Sequence, residues 1–188
     1  MAAFDLDALT LGDVTVTGRG AKQVNICGPN SQVVAWALDA MPVAYEPSAF
    51  QDPQATRVNM VFRPTPEILN FMDALDGWVL EHVAANSERI FGKPRSDAQL
   101  RDMYQPIVKR SEKFPPQIKA KVNLEAPSAL RCWDLEKKPR AAPSPWRDAV
   151  VKPRLWLRSL YLMNGCFGAT LECTDCQIVS EGSLECPF

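Results

Sequence analysis

The sequence lacks a long apolar run, an excess of either charge and the short motifs of the common enzyme families. No stretch approaches the ~18–20 consecutive apolar residues of a membrane-spanning helix, and 21 lysines and arginines nearly balance 22 aspartates and glutamates. There is one histidine, and there is no glycine-rich phosphate loop, nucleophile elbow or paired-histidine helix. We therefore expect a protein that spans no membrane, catalyses no reaction and holds no cofactor.

The amino-terminal segment also lacks the pattern of a signal peptide, because Asp5 and Asp7 stand where lysines would be expected. We therefore expect an intracellular protein whose 6 cysteines are reduced thiols rather than a disulfide framework. A chain of 188 residues, 46% of them hydrophobic, is long enough to bury one substantial core. We expect one domain over residues 1–179 and an acidic tail over residues 180–188.

Charge is unevenly distributed along the chain. Residues 93–158 hold 16 lysines and arginines against 7 aspartates and glutamates, whereas residues 1–92 hold 5 against 11 and residues 159–188 hold none against 4. A basic middle between acidic ends can attract a polyanion locally although the whole chain is almost neutral. A solvated basic face that binds nothing is the alternative, because local positive charge alone does not make a nucleic-acid site.

The first half of the chain predicts short strands followed by two helices. Turn signals and β-branched runs predict strands at residues 14–16, 33–36 and 58–62. Thr65 and Pro66 begin a long amphipathic helix that ends near Gly92, since threonine caps free amide groups and proline fits the first helical position. Ser96 and Gln99 form a capping box that begins a second, short helix.

The second half predicts mostly strands, at residues 118–124, 130–135, 154–162, 167–171 and 177–179. In the first of these strands, apolar residues alternate with Lys119 and Lys121, so one face carries lysines. The second strand is its expected partner, and Asn164-Gly165 is a turn signal that joins the third and fourth into a hairpin. The order of elements predicts an α+β fold with two helices inserted into a mainly antiparallel sheet or barrel.

The most informative local pattern lies in residues 154–158. In an extended strand, Arg154, Trp156 and Arg158 point to one side, and the two intervening leucines and Tyr161 point to the other. A row of cation, ring and cation suits single-stranded nucleic acid, whose phosphates need positive charge and whose bases stack on rings. A core-covering tryptophan between solubilising arginines is the alternative, and the pattern alone does not decide between them.

Other segments repeat the combination of cation and ring. Lys119 and Lys121 add charge if their strand lies beside residues 154–158, and Arg131 with Trp133 repeats the pair. A basic loop that can close over a bound strand carries the candidate contacts Lys137, Lys138, Arg140 and Trp146. An ordinary hydrated loop is the alternative for these residues.

The cysteines near the carboxyl end raise a zinc hypothesis. Cys173 and Cys176 are close enough in sequence to share one ion, and Cys166 and Cys186 would complete a four-sulfur site. The spacing is not that of two matched pairs, however, so we favour buried thiols and no metal.

Residues 181–188 form an acidic tail that contains Glu185 and ends in Phe188. Such a tail can dock its terminal ring and carboxylate into a basic pocket of a partner, for example a replication protein. It can also compete with nucleic acid for the basic groove of its own chain. An unstructured end without a role is the alternative.

Several short motifs occur in an order that resembles one protein family. The quoted elements are Phe91-Gly92-Lys93 at the end of the long helix, Pro106-Ile107-Val108-Lys109, Pro116-Gln117-Ile118-Lys119-Ala120-Lys121-Val122, and Phe167-Gly168 after a glycine turn. Over roughly residues 58–179 the chain thus resembles the single-stranded DNA-binding proteins of large DNA viruses, notably those that infect algae.

The resemblance implies an OB-like antiparallel β-barrel or strongly curved sheet that coats single-stranded DNA during replication, recombination or repair. It also implies a location in the nucleus or in a viral replication compartment. The family motifs bear on Lys119, Lys121, Trp156 and Phe167 as contacts, whereas the flanking arginines are assigned by the alternation of the strand. The chain departs from the family at Cys166, where other members often have a different residue.

We therefore interpret the sequence as that of a sequence-tolerant single-stranded DNA-binding protein that neutralises phosphates and stacks bases. Replication proteins are expected as further partners, and a homo-oligomer stays open. The first rival is an RNA-binding module on the same scaffold. The second is a protein-interaction scaffold without nucleic acid, and a metal-dependent enzyme is the third.

Overall fold

The computed structural model describes residues 5–18, 20–49, 52 and 54–182. Within these ranges, one large curved sheet and a few helices form an α+β fold, and the sheet does not close into a barrel. The predicted fold class is thereby confirmed, in its form with a strongly curved sheet. No helix in the described ranges is long and apolar enough to cross a membrane.

Eleven strands and three α-helices make up the sheet and its cover in the described part of the chain. The strands are β1 Thr10–Val16, β2 Lys22–Cys27, β3 Val34–Ala37, β4 Met41–Pro42, β5 Arg57–Phe62, β6 Val108–Lys109, β7 Gln117–Asn123, β8 Arg131–Trp133, β9 Pro139–Arg140, β10 Val150–Met163 and β11 Cys166–Ser180. The helices are α1 Pro66–Ala85, α2 Ser87–Phe91 and α3 Asp97–Met103.

The helices begin where the sequence predicts. The Thr65 side chain accepts a hydrogen bond from the Ile68 amide at 3.4 Å, and both hydrogen bonds of the Ser96–Gln99 capping box are formed. The long predicted helix is divided at Asn86 into α1 and α2. Gly92 then ends α2 in the left-handed region, at a φ of 76° that glycine adopts without steric cost.

The central strands of the sheet follow the order β1-β2-β10-β11-β7-β5. β10 and β11 are the two longest strands, and they pair antiparallel through the predicted turn at Asn164-Gly165. β7 and β8 both pair with β11 in parallel. The prediction that residues 130–135 pair with residues 118–124 is wrong, because β8 lies against β11 and β9 instead.

Side chains alternate between the two faces of the sheet in β5, β7 and the first half of β10. The inward, buried side chains are Val58, Met60, Phe62, Ile118, Ala120, Val122, Leu155 and Leu157. They form one core with Ile68 and Met72 of α1, and each fully buried large side chain contributes roughly 1.5–3 kcal/mol. The outward side chains on the same strands are Arg57, Asn59, Lys119, Lys121, Arg154 and Trp156.

Two of the three register shifts between β10 and β11 affect the outward face. The register shifts between Arg154 and Leu155, which leaves Thr174 without an opposite residue, and again between Leu157 and Ser159. The first shift adds one residue to β11, and the second, at Arg158, adds one residue to β10. Side chains beyond the extra residue change face on the strand that carries it. The prediction that Tyr161 lies on the side of the leucines is therefore wrong, since Tyr161 lies on the outward face.

Candidate nucleic-acid interface

The outward face of the sheet contains an open groove of about 730 Å³ between β10 and β5. We call it the groove. Its lining residues are Arg57, Asn59, Gln105, Pro106, Ile107, Lys109, Lys119, Lys121, Tyr161, Met163, Ala169, Thr170 and Leu171. Four of the lining side chains are cationic and none is acidic, so the groove walls favour an anionic ligand.

The basic side chains of the groove come from strands that are paired in register. Asn59 of β5 is opposite Lys121 of β7, and Val61 is opposite Lys119. Lys119 and Lys121 thus lie on the same face as Arg57, as the alternation of the two strands requires. They are not directly beside residues 154–158 as considered from the sequence, because β11 lies between β7 and β10.

Burial and mutual repulsion act on these lysines. The pKa of Lys121 is lowered by burial first, and then by the positive charges of Lys119 and Arg57. The pKa of Lys109 is lowered by burial and by Lys119, although Asp76 opposes this. Because the free groove holds like charges close together, a bound polyanion would relieve their repulsion.

We expect binding of an anionic strand to depend on pH in the alkaline range. A phosphate beside Lys121 or Lys109 raises a lysine pKa that is lowered in the free protein, so the complex binds more protons than its separate parts. Affinity should therefore fall as the pH rises toward the ordinary lysine value of about 10.4. Titrations of oligo(dT) at constant salt from about pH 7.5 upward would measure this. An affinity that is constant throughout would contradict the assignment of these lysines.

A buried carboxylate fixes the segment that forms one edge of the groove. Asp76 of α1 accepts hydrogen bonds from the Tyr104 hydroxyl and from the Ile107 amide, the latter at 2.9 Å. Burial raises the pKa of Asp76, while these two hydrogen bonds oppose the shift. The Gln105 amide also donates to the Phe167 carbonyl at 2.8 Å. Residues 105–109 are thereby attached both to α1 and to β11.

Tyr161 offers an aromatic ring in the groove. Its partner across the β10–β11 pair is Gly168, and a Cβ atom on that glycine would lie 2.9 Å from the Tyr161 hydroxyl oxygen and 2.8 Å from the Gln105 carbonyl oxygen. Only a residue without a side chain allows both groups to approach β11 this closely. The ring is half-buried and lines the groove, so part of it is accessible to a ligand.

Trp156 and its flanking arginines have the predicted arrangement. Arg154 and Arg158 are exposed and Trp156 is half-buried, while Leu155 and Leu157 are fully buried. The guanidinium carbon of Arg158 lies 4.4 Å from the centroid of the Trp156 ring, a cation–π contact. Trp156 therefore shows its indole at the outer surface, next to positive charge.

Glu172, on β11, lies between Trp156 and the lysines of β7. Its register partner on β10 is Trp156, and its partner on β7 is Lys121. Its carboxylate accepts hydrogen bonds from Arg57 at 3.1 Å and from Arg158 at 3.3 Å, and a third from the Asn123 amide at 3.3 Å. Two arginines of the outward face are thus bound to one buried acid.

Asp175 makes a similar set of contacts further along β11. It accepts hydrogen bonds from Arg131, from the Trp133 indole N–H and from the Thr174 hydroxyl, at 3.0, 3.0 and 2.9 Å respectively, and Arg154 lies 3.8 Å away. Burial raises the pKa of Asp175, but these hydrogen bonds outweigh it and the net shift is downward. The bulge at Thr174 brings Asp175 to the same face as Glu172, so Arg131 and Trp133 lie on the outward face with Arg154.

The candidate contacts in the basic loop, Lys137, Lys138, Arg140 and Trp146, do not line the groove. Lys137 and Lys138 are exposed, with Lys138 paired to Glu136 at 2.6 Å, and Arg140 is paired to Glu181. Trp146 packs in part against the hydrophobic core. The proposed tail residues Glu185 and Phe188 lie outside the described residues.

Phe167 is not a surface residue. Only 1% of it is exposed, and its ring packs on Tyr104 and Phe91 with centroid distances of 5.2 and 5.6 Å. The contact role that the resemblance implied for Phe167 is therefore corrected, because its ring belongs to the core beneath the groove.

The described cysteines do not form a metal site. Cys173 and Cys176 are buried with their sulfur atoms 3.5 Å apart, and the hydrogen bond between the two thiols, together with burial, raises the pKa of Cys176. Cys166 stands at the start of β11, roughly 20 Å from Cys173 along the strand. Among the described residues, no three metal-ligating side chains come together, and Cys186 lies outside them.

Sequence reasoning missed eleven of the thirteen groove residues, and five of these bear on ligand binding: Arg57, Asn59, Gln105, Lys109 and Tyr161. The first two alternate with buried residues in β5, the same pattern that identified the lysines of β7. A period of two was therefore the available signal for them. Gln105 and Tyr161 depend on long-range contacts and on a bulge, which leave no local signal, whereas Lys109 stands in the motif Pro106-Ile107-Val108-Lys109 quoted above.

The sequence matches no family model and no curated protein. Among solved structures, the chain is similar to the single-stranded DNA-binding protein from bacteriophage Enc34, with a TM-score of 0.51 and 7% identity over 93% of this chain and 92% of that chain. The same phage protein in complex with ssDNA gives a TM-score of 0.47 and 9% identity, over 93% and 94% of the two chains. For gp2.5, a single-stranded DNA-binding protein encoded by bacteriophage T7, the values are 0.47 and 13%, over 82% and 90%. The first similarity shows a shared fold.

Proposed function

We propose that this protein binds single-stranded DNA along the outward face of its sheet, without strong sequence preference. The observation that carries the proposal is the combination on one open face of the cationic groove with the accessible rings of Trp156 and Tyr161. The resemblance of the sequence motifs and the fold shared with a phage single-stranded DNA-binding protein support it.

Two interactions account for binding. Arg57, Lys109, Lys119 and Lys121 neutralise backbone phosphates, and the released counterions provide a favourable entropy. Trp156 and Tyr161 stack on bases, and each stacked base contributes about 1–3 kcal/mol. Every base has an aromatic face, so this mode tolerates any sequence. A duplex hides those faces, which is why the proposed ligand is single-stranded.

The separation of the two rings indicates a site that covers several nucleotides. Trp156 and Tyr161 are five positions apart on β10, which corresponds to roughly 16 Å of extended strand. Single-stranded binding folds of comparable size cover about 4–16 nucleotides. We propose that one chain covers a stretch within this range, with one base on each ring.

We further propose that the protein acts in replication, recombination or repair, processes that expose single strands. Association with replication proteins, and a location in the nucleus or a viral replication compartment, belong to the same proposal. RNA binding on the same face is the second candidate, since phosphates and stacked bases are common to both nucleic acids.

A fluorescence titration tests the proposal, using the tryptophan emission and oligo(dT) as the probe. We expect quenching on addition of oligo(dT), and weaker binding to a duplex of equal length. With the three groove lysines engaged, the slope of log K against log salt should be about −2.1, and full engagement of Arg57 as well would bring it to about −2.8. If oligo(dT) neither quenches the tryptophan emission nor binds at low salt, the proposal is overturned. A clear preference for oligo(U) over oligo(dT) would favour RNA as the ligand.

A further inference from the structure

Glu172 is an acidic residue among the cations that the proposed function assigns to phosphate. Its side chain is only 7% exposed, whereas those of its partners Arg57 and Arg158 are 48% and 46% exposed. The acid lies at the base of the outward face and the guanidinium groups lie above it. A ligand on this face therefore meets the arginines first, while they are bound to the carboxylate.

The stability of the fold does not account for this arrangement. An ion pair whose cation is half exposed contributes about 0–1 kcal/mol, and burial of a carboxylate opposes folding. Asn123 donates to Glu172 and could equally donate to a neutral amide of the same shape. A charged residue is thus not required at this position for folding, and its effect on the neighbouring arginines is the larger consequence.

We propose that Glu172 is a built-in competitor of DNA phosphate, an inference that rests on the proposed function. A guanidinium group presents the same fork of N–H donors to a carboxylate and to a phosphate. In the free protein Arg57 and Arg158 donate to Glu172, so a phosphate must replace the carboxylate or share the arginines with it. The competition lowers affinity and allows a bound strand to be released.

The same exchange involves the stacking ring. Arg158 contacts the Trp156 indole at 4.4 Å while it donates to Glu172 at 3.3 Å. If a phosphate draws Arg158 away from Glu172, the cation above the indole moves as well. Glu172 therefore couples the phosphate contacts of this face to its principal base-stacking ring.

The test compares the parent with Glu172→Gln, which keeps the shape and removes the charge. We expect the Kd for oligo(dT) at low salt to fall about 3- to 10-fold, since a like charge close to the phosphates is removed. The salt dependence should become steeper by about 0.7 for each arginine that becomes available to phosphate. Glu172→Met, of similar volume and apolar, provides the same test if the glutamine variant does not fold.

Two further variants separate this effect from a general change of charge. Asp13→Asn also removes one acid that is paired to an arginine, here Arg89, and neither residue lines the groove. It should leave both the Kd and the salt slope close to those of the parent. In a chain that carries Arg57→Gln and Arg158→Gln, the steepening caused by Glu172→Gln should disappear, because its arginine partners are absent.

The outcomes distinguish the inference from the proposed function. If the parent binds oligo(dT) and the folded Glu172 variants bind it no more tightly, the inference is overturned and the proposed function is retained. Weaker binding by those variants would show that the acid positions the arginines rather than competing for them. If the parent itself does not bind, both are overturned.

Discussion

Replacing Lys119 and Lys121 together by alanine is expected to weaken oligo(dT) binding about 25-fold at about 0.1 M salt. For a single strand, each phosphate contact contributes about −0.7 to the slope of log K against log salt. Two lost contacts therefore remove about 1.4 from that slope. If parent and variant bind equally at about 1 M salt, a tenfold lower salt concentration separates their affinities by about 10 to the power 1.4, or about 25-fold. Anisotropy of a labelled oligomer over a series of salt concentrations measures both quantities.

The matched control for the lysine pair replaces Lys93 and Arg101 by alanine. Both are exposed cations, and neither lines the groove, so the net charge changes equally without touching the proposed site. Only the groove variant should lose affinity and slope. Equal losses in both variants would mean that overall charge, rather than this surface, attracts the strand.

Removal of the Trp156 and Tyr161 rings is expected to weaken binding at every salt concentration. Each stacked base contributes about 1–3 kcal/mol, so each single alanine variant should raise the Kd about 5- to 150-fold. Because stacking releases no counterions, the salt slope should stay that of the parent. The measurement is the same anisotropy series used for the lysines.

Two further variants test whether the rings in the proposed site are responsible for the effect. Tyr161→Phe retains the ring and should bind as the parent does, whereas Phe114→Ala removes a ring that is 58% exposed but does not line the groove. Phe114→Ala should leave the Kd unchanged. A loss caused by Tyr161→Phe as large as that caused by Tyr161→Ala would assign the role to the hydroxyl group instead of the ring.

Local patterns in the sequence predicted those parts of the surface that depend on neighbouring residues along the chain. The alternation in residues 154–158 placed Arg154 and Trp156 outward, because the period of a strand follows from backbone geometry alone. The capping box at Ser96 was predicted for the same reason, since both of its hydrogen bonds join residues within one turn.

Features that depend on strand pairing could not be predicted in this way. A bulge arises only when two strands are aligned, so nothing in β10 itself shows that the alternation reverses before Tyr161. The parallel pairing of β7 with β11 likewise brings Lys121 beside Glu172, residues that are far apart in sequence. The groove is a product of this long-range register.

The contact role expected of Phe167 and the zinc hypothesis for the cysteines both depend on where the residues lie in the fold, and not on residue type alone. Phe167 is aromatic and follows the predicted turn, but its ring is buried against Phe91, at the end of α2, and Tyr104, which follows α3. Cys166 and Cys173 belong to one continuous strand, which holds them apart. Neither fact can be read from spacing before the strand pairs are known.

The measurement that tests the central claim most directly is a nuclear magnetic resonance titration of the indole N–H signals with oligo(dT). The chain has 5 tryptophans. The indole N–H signal of each is to be assigned from the spectrum of its tryptophan-to-phenylalanine variant. We predict that the Trp156 signal shifts with the added strand, while those of Trp36 and Trp78, which are 8% and 5% exposed in the core, stay in place. Binding that leaves the Trp156 signal unchanged would contradict the account, because the strand would then lie on another surface.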